Sequence, residues 1–203
     1  MKKPLIFIVL LIVSKTIAQN DQKTAFQKSR YELALSYYKK DDFKKALDLF
    51  HFACKIKPET EIAKESIKKI DTLKTVLREN ILAQAVGTWR MVGDKPVWAF
   101  NPNQPEKEID ELVEINQNKI LFYEENKKTK EKKIIKSEDL TYYNKEESDE
   151  LFSNIILSDG TIWNCSINEK SDEMHVINVG KKDENGVEKI ESNNMELFYV
   201  KVK

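Results

Sequence analysis

Val86-Gly87-Thr88-Trp89-Arg90-Met91-Val92 is the stretch at which the chain changes its pattern. Before Gly87, apolar residues return every three or four positions, the spacing of an amphipathic helix. After it, apolar and polar residues alternate in short runs broken by Asp159-Gly160 and Asn185-Gly186, the grammar of antiparallel strands. The sequence therefore predicts an α+β protein: a leader over 1–18, a helical module over 19–85 and a β module over 86–203.

The leader reading rests on three features. Lys2 and Lys3 form a positive start, Leu5 to Val13 is an unbroken run of nine apolar residues, and Thr16-Ile17-Ala18 puts small residues at the −3 and −1 positions of a cut before Gln19. This is the layout of a signal peptide, and it predicts an exported protein, periplasmic or secreted. The rival is an uncleaved anchor, but nine residues at about 1.5 Å each reach only about half of a hydrocarbon core of roughly 30 Å. No cysteine lies near the cut, so lipid anchoring is not expected. Removing 1–18 takes away Lys2, Lys3 and Lys15, leaving 31 basic against 34 acidic residues and a net charge of −3. A mildly acidic mature chain argues against nucleic acid as a partner. Cys54 and Cys165 are the two cysteines, one in each module. In an exported protein they are either two small apolar thiols or a disulfide between modules.

Within the helical module, 24–57 reads as two helices around a turn at Lys40-Asp41-Asp42, with Asp42 as N-cap. Phe26, Arg30, Leu33, Ala34 and Tyr37 share one face of the first. Phe43, Ala46, Leu47, Phe50, Ala53 and Cys54 share one face of the second, which ends at Lys57-Pro58. Ala34 and Ala46 are small where antiparallel helices come closest, and Tyr37 and Phe50 fill the space beside them. The set Leu33-Ala34, Tyr37, Phe43, Ala46, Phe50, Ala53 and Pro58 resembles a tetratricopeptide repeat. Arg30 replaces the early aromatic of that repeat, and Asp41 stands where glycine is frequent. From Glu59 to Ala85 a third helix carries the stripe Ala63, Ile67, Ile70, Leu73, Leu77 and Ile81. It resembles the helix that covers the exposed end of such repeats. Because a solenoid normally needs about three repeats, one repeat and a cap must lean on something else.

In the β module, strands are expected at 88–92, 111–116, 119–125, 132–137, 151–158, 161–167, 173–180 and 195–201, with weaker runs at 97–100 and 187–190. Asp159-Gly160 and Asn185-Gly186 suit two-residue hairpin turns. A meander of eight to ten strands in sequence order predicts an up-and-down β-barrel, closed or nearly closed. With that meander, Gly87-Thr88-Trp89 resembles the opening strand of the calycins, the superfamily of the lipocalins. The resemblance implies that Gly87 and Trp89 close the base of a lipocalin-like β-barrel, with Lys201 or Lys203 as the basic residue over the tryptophan. Arg90 is the one arginine of the module, so the arginine and tyrosine set that holds a fatty-acid carboxylate is missing.

Chemistry is sparse. His51 and His175, the only histidines, lie in different modules without ligand-spaced partners, so no metal is expected. Glu146-Glu147 with Asp149-Glu150 lacks the Asp-x-Asp-x-Asp-Gly turn of a calcium loop and reads as a solvated connection, as do the lysines from Lys127 to Lys133. Asn164-Cys165-Ser166 fits a glycosylation sequon only by letter, because a strand is expected there. No phosphate loop, nucleophile elbow or Ser-His-Asp set appears. The expectation is a non-enzymatic binding protein without a cofactor. In one reading the barrel holds a small apolar ligand against Trp163, Ile155, Leu157 and Ile167. In the other the barrel is a filled core and the chain is an adaptor in an envelope assembly. The repeat resemblance implies a groove for a protein or peptide partner at Lys28, Tyr31, Leu35, Tyr38 and Lys39; the competing reading is that the tyrosines and Leu35 pack internally.

Overall fold

The computed structural model describes residues 3–96, 99, 107–143, 152–190 and 192–202, with side chains from residue 21 onward. Among these residues, three helices precede a nine-stranded antiparallel sheet, an α+β arrangement. The chain divides into two compact units, one ending at Leu77 and one beginning at Arg78.

In the first unit, α1 (Lys3–Tyr38) and α2 (Phe43–Ile56) form an antiparallel hairpin, and α3 (Glu61–Ala85) begins after it. Asp41 makes the turn in the left-handed region at φ +58°, the conformation for which glycine is favoured. Asp42 then caps α2, its carboxylate accepting from the Lys45 backbone N–H at 3.4 Å and the Lys45 ammonium at 2.7 Å. Ala46, Leu47, Phe50 and Ala53 are buried, as the repeat pattern requires, while Phe43 and Cys54 are half-buried.

On α1 the buried stripe is shifted by one residue from expectation. Of the predicted set only Ala34 is buried; Phe26 is 44% and Leu33 39% exposed, and Gln27 is fully buried instead. The reason is polar. Gln27 Nε2 donates to the carbonyls of Ala53 (2.9 Å) and Lys57 (3.0 Å) at the end of α2, and Gln27 Oε1 accepts from the Thr60 hydroxyl at 3.0 Å. Thr60 Oγ1 also accepts from the Ala63 N–H and caps α3. One amide thus donates to two carbonyls at the end of α2, where intrahelical donors run out, and fixes the next cap. On α3, Ser66 is buried and returns its hydroxyl to Ile62 O at 2.7 Å, whereas Ile67, expected inside, is half exposed.

The second unit holds β1 (Gly87–Gly93), β2 (Ile109–Ile115), β3 (Lys119–Asn126), β4 (Lys132–Asp139), β5 (Ile155–Ile156), β6 (Thr161–Ile167), β7 (Glu173–Asp183), β8 (Gly186–Lys189) and β9 (Glu196–Lys201). Neighbours run β4-β3-β2-β1-β9-β7-β6-β5, with β8 beside β7. The meander is as expected, with β9 returning to β1. The sheet nevertheless does not close. The strand expected over 151–158 shrinks to Ile155–Ile156, because Phe152-Ser153 is already turn and Leu157 enters the next turn. Among the described residues, the strand pairing between the two ends of the path is reduced to the bridge Tyr142↔Ile155. The run at 97–100, the acidic loop at 146–150 and Lys203 lie outside the described residues, Ala99 excepted.

Both glycine turns differ by a residue from expectation. Leu157 N donates to Thr161 O, making Ser158-Asp159-Gly160 a three-residue loop with Gly160 at φ +82°. Asp183 pairs with Gly186, so the two-residue loop is Glu184-Asn185. Three other hairpins begin at an asparagine whose side chain accepts two backbone N–H groups from the loop: Asn116, Asn126 and Asn168.

Candidate functional site

Two places in the structure gather the residues singled out by the sequence. The first is the core of the sheet. Trp89 is fully buried, and its indole N–H donates to Ala85 O at 2.6 Å. Lys201 Nζ sits 5.0 Å from the Trp89 ring centroid and donates to Gln84 O at 2.9 Å, so the last strand does supply a cation over this ring. Gly87, at φ +132°, makes room: a Cβ there would lie 3.0 Å from Lys201 Cε. The last turns of α3 belong to this unit, with Leu82 and Ala85 against the core and Arg78 donating to Phe152 O at 2.7 Å while covering the Tyr142 ring.

Ile155, Leu157 and Trp163, assigned by sequence to a ligand-holding interior, are buried in this same cluster with Val113, Ile120, Met174, Val176 and Tyr199. Ile167 lies at its margin with Met91, Phe122, Cys165 and Leu197, all half-buried. Phe122 meets Trp163 edge to face at 5.7 Å. Burial pushes the Cys165 thiol up to about 12, which favours its neutral form. Burial also raises the Tyr199 phenol, with Cys165 and Glu111 adding to the effect. Neither cysteine is in a disulfide; Cys54 Sγ donates to His51 O at 3.1 Å.

One polar constellation here has no signal in the sequence. Glu138 is paired with Ile120 on the core face of β4 and is only 3% exposed. Its carboxylate accepts from the Ser158 N–H and hydroxyl, each at 2.8 Å, and from Lys136 Nζ at 2.6 Å. Burial pushes this carboxyl up, but the hydrogen bonds from Lys136 and Ser158 outweigh that, and it lies below its ordinary value. Nothing in Lys136-Ser137-Glu138 distinguishes Glu138 from a surface acid.

The second place is the outer surface of α1. Lys28 is exposed and 3.9 Å from Glu32. Leu35 and Lys39 line an open concavity of about 420 Å³ with Glu32, Ser36 and Lys40. Tyr31 and Tyr38 are half-buried: the Tyr31 ring meets Phe50 at 5.5 Å, and Tyr38 meets Phe43 at 5.8 Å under the Lys69 ammonium at 5.0 Å. The five positions therefore separate into two exposed lysines, a half-buried Leu35 on the concavity, and two tyrosines with ring contacts on Phe50 and Phe43. Among the described residues no three His, Cys, Asp or Glu side chains converge as a metal site would need. No helix, among the described residues, is long and apolar enough to cross a membrane.

Comparison with protein families matches residues 29–59 to the tetratricopeptide repeat. That span takes in the end of α1, the turn, α2 and the first residues after it, so the repeat resemblance stands on an independent match. Neither curated proteins nor solved structures give a match. Tetratricopeptide repeats usually mediate protein–protein interaction.

Proposed function

We propose that this chain is an exported, non-enzymatic adaptor in which the tetratricopeptide-like hairpin grips a protein segment and a lipocalin-like sheet domain serves as a filled structural core. The observation that carries this reading is the repeat match at 29–59, together with the concavity lined by Leu35, Ser36 and Lys39. A leucine flanked by Lys28, Lys39 and Lys40 suits an extended segment with an apolar anchor and acidic ends. The interior supports the filled-core half of the reading, because Trp89, Trp163, Ile155 and Leu157 are packed against one another. A second reading, a small apolar ligand inside the sheet, draws on the half-buried margin of Met91, Phe122, Cys165, Ile167 and Leu197.

A photo-reactive residue placed at Leu35, in cells that make the protein, tests the adaptor. One discrete polypeptide should be captured from Leu35 and not from Glu124 on the sheet, and Lys39→Glu with Lys40→Glu should abolish the capture. Absence of any Leu35 adduct removes this reading. Native mass spectrometry of the same protein separates the two: a bound mass of a few hundred daltons favours the ligand.

A further inference from the structure

We propose that the junction between β4 and the β5–β6 hairpin is a proton-operated seam, held shut at neutral pH by Glu138 and opening in acid onto the Phe122–Trp163 pair. The geometry is that of a sheet whose ends meet without a ladder. β2–β3 and β6–β7 each pair over seven residues. Across the junction, among the described residues, two backbone hydrogen bonds flank the Tyr142↔Ile155 bridge: Ile156 N to Thr141 O at 2.9 Å and Tyr143 N to Asn154 O at 2.7 Å. What supplements them is side-chain chemistry. Glu138 on β4 takes both donors of Ser158 in the β5–β6 turn, and Lys136 reaches from Glu138 to Asp159 at 3.5 Å. A proton on Glu138 leaves both Ser158 donors facing a neutral acid, so two links across the seam weaken at once, and the Lys136 ammonium loses its anion on its own strand.

The groups facing Glu138 determine the direction. Lys136 on its own strand is cationic throughout, and Asp159 on the turn is held, like Glu138, below its ordinary value. Opposite on β3 is Ile120, with the Lys119–Asp139 pair one step farther. A carboxyl with a depressed folded value stabilises above its unfolded value, here near 4.5, and loses that contribution as pH falls through the folded value. The seam is thus closed at neutral pH and opens below about pH 4.5. Phe122 lies opposite Lys136, and Trp163 lies opposite Ile155, so separating the two edges parts these rings.

Amide hydrogen exchange of the full chain between pH 7 and 3.5, expressed as protection factors, tests the seam. Protection at Tyr143 and Ser158 should fall at least tenfold more than protection within β7, with far-UV circular dichroism unchanged. Over the same range acrylamide quenching of Trp163, read as the difference from Trp163→Phe, should rise. Glu138→Gln should show the open state already at pH 7. If that variant fails to fold, Ser158→Ala and Lys136→Met each remove one partner and should move the opening to higher pH. Protection lost uniformly across the strands together with circular dichroism, or Ser158 protection indifferent to pH, overturns the seam.

Discussion

Gly160 sits at φ +82° with its missing Cβ directed at the Lys182 carbonyl oxygen, while its own carbonyl accepts from Lys182 N at 2.8 Å. A methyl group has neither the space nor the backbone conformation it needs there, so Gly160→Ala should cost at least about 2 kcal/mol. Urea unfolding measures it, and a loss under about 0.5 kcal/mol would show that the loop relaxes freely. Gln27 makes the opposite kind of demand, a polar group required inside. Gln27→Leu keeps the volume but takes a donor from the Ala53 carbonyl and one of three donors from the Lys57 carbonyl, and removes an acceptor from Thr60. The expected loss is about 2–4 kcal/mol, whereas Phe26→Leu, at an exposed ring, should change stability by less than about 1 kcal/mol. Equal losses from the two would contradict the buried-amide account. The Asp-Gly turn was legible at Gly160 because glycine is a local signal. The role of Gln27 was not, because its partners stand 26, 30 and 33 residues away.

At the scale of the element, helix and strand were read from periodicity, and eight strands appear close to where alternation placed them. Where the reading failed, a tertiary partner decided. The run at 151–158 is apolar enough for a strand, yet only Ile155–Ile156 finds an antiparallel neighbour in β6. On α1 the sequence assigned Phe26, Leu33, Ala34 and Tyr37 to the inner face and put Tyr31 and Tyr38 on a second one. The structure turns the second toward its neighbours, with Tyr31 on Phe50 and Tyr38 on Phe43. Removing both rings should therefore lower stability by about 2–4 kcal/mol. Thermal unfolding of Tyr31→Ala with Tyr38→Ala checks this; an unchanged midpoint would return both tyrosines to the partner groove. Leu35→Ala, on the open concavity, should leave the midpoint within a few degrees.

At the scale of the whole molecule, the export proposed from residues 1–18 is open to a direct test. Mass spectrometry of protein recovered from its native envelope should find a chain starting at Gln19 or within a residue or two, and an intact Lys2 would refute export. Periodicity and turn chemistry, which are local, determined by themselves the succession of helices and strands, the repeat-like hairpin with Asp42 as its cap, and the change at Gly87. Only the tertiary structure decided which α1 face is buried, that Lys201 covers Trp89, that the sheet stays open between β4 and β5, and that Glu138 is inside. Each of these depends on groups distant in sequence meeting in a low-dielectric interior, where an unpaired amide, ammonium or carboxylate is costly. Hydrophobic pattern says which residues leave water; it does not say which polar group accompanies them, because that choice rests on a partner the local sequence does not contain.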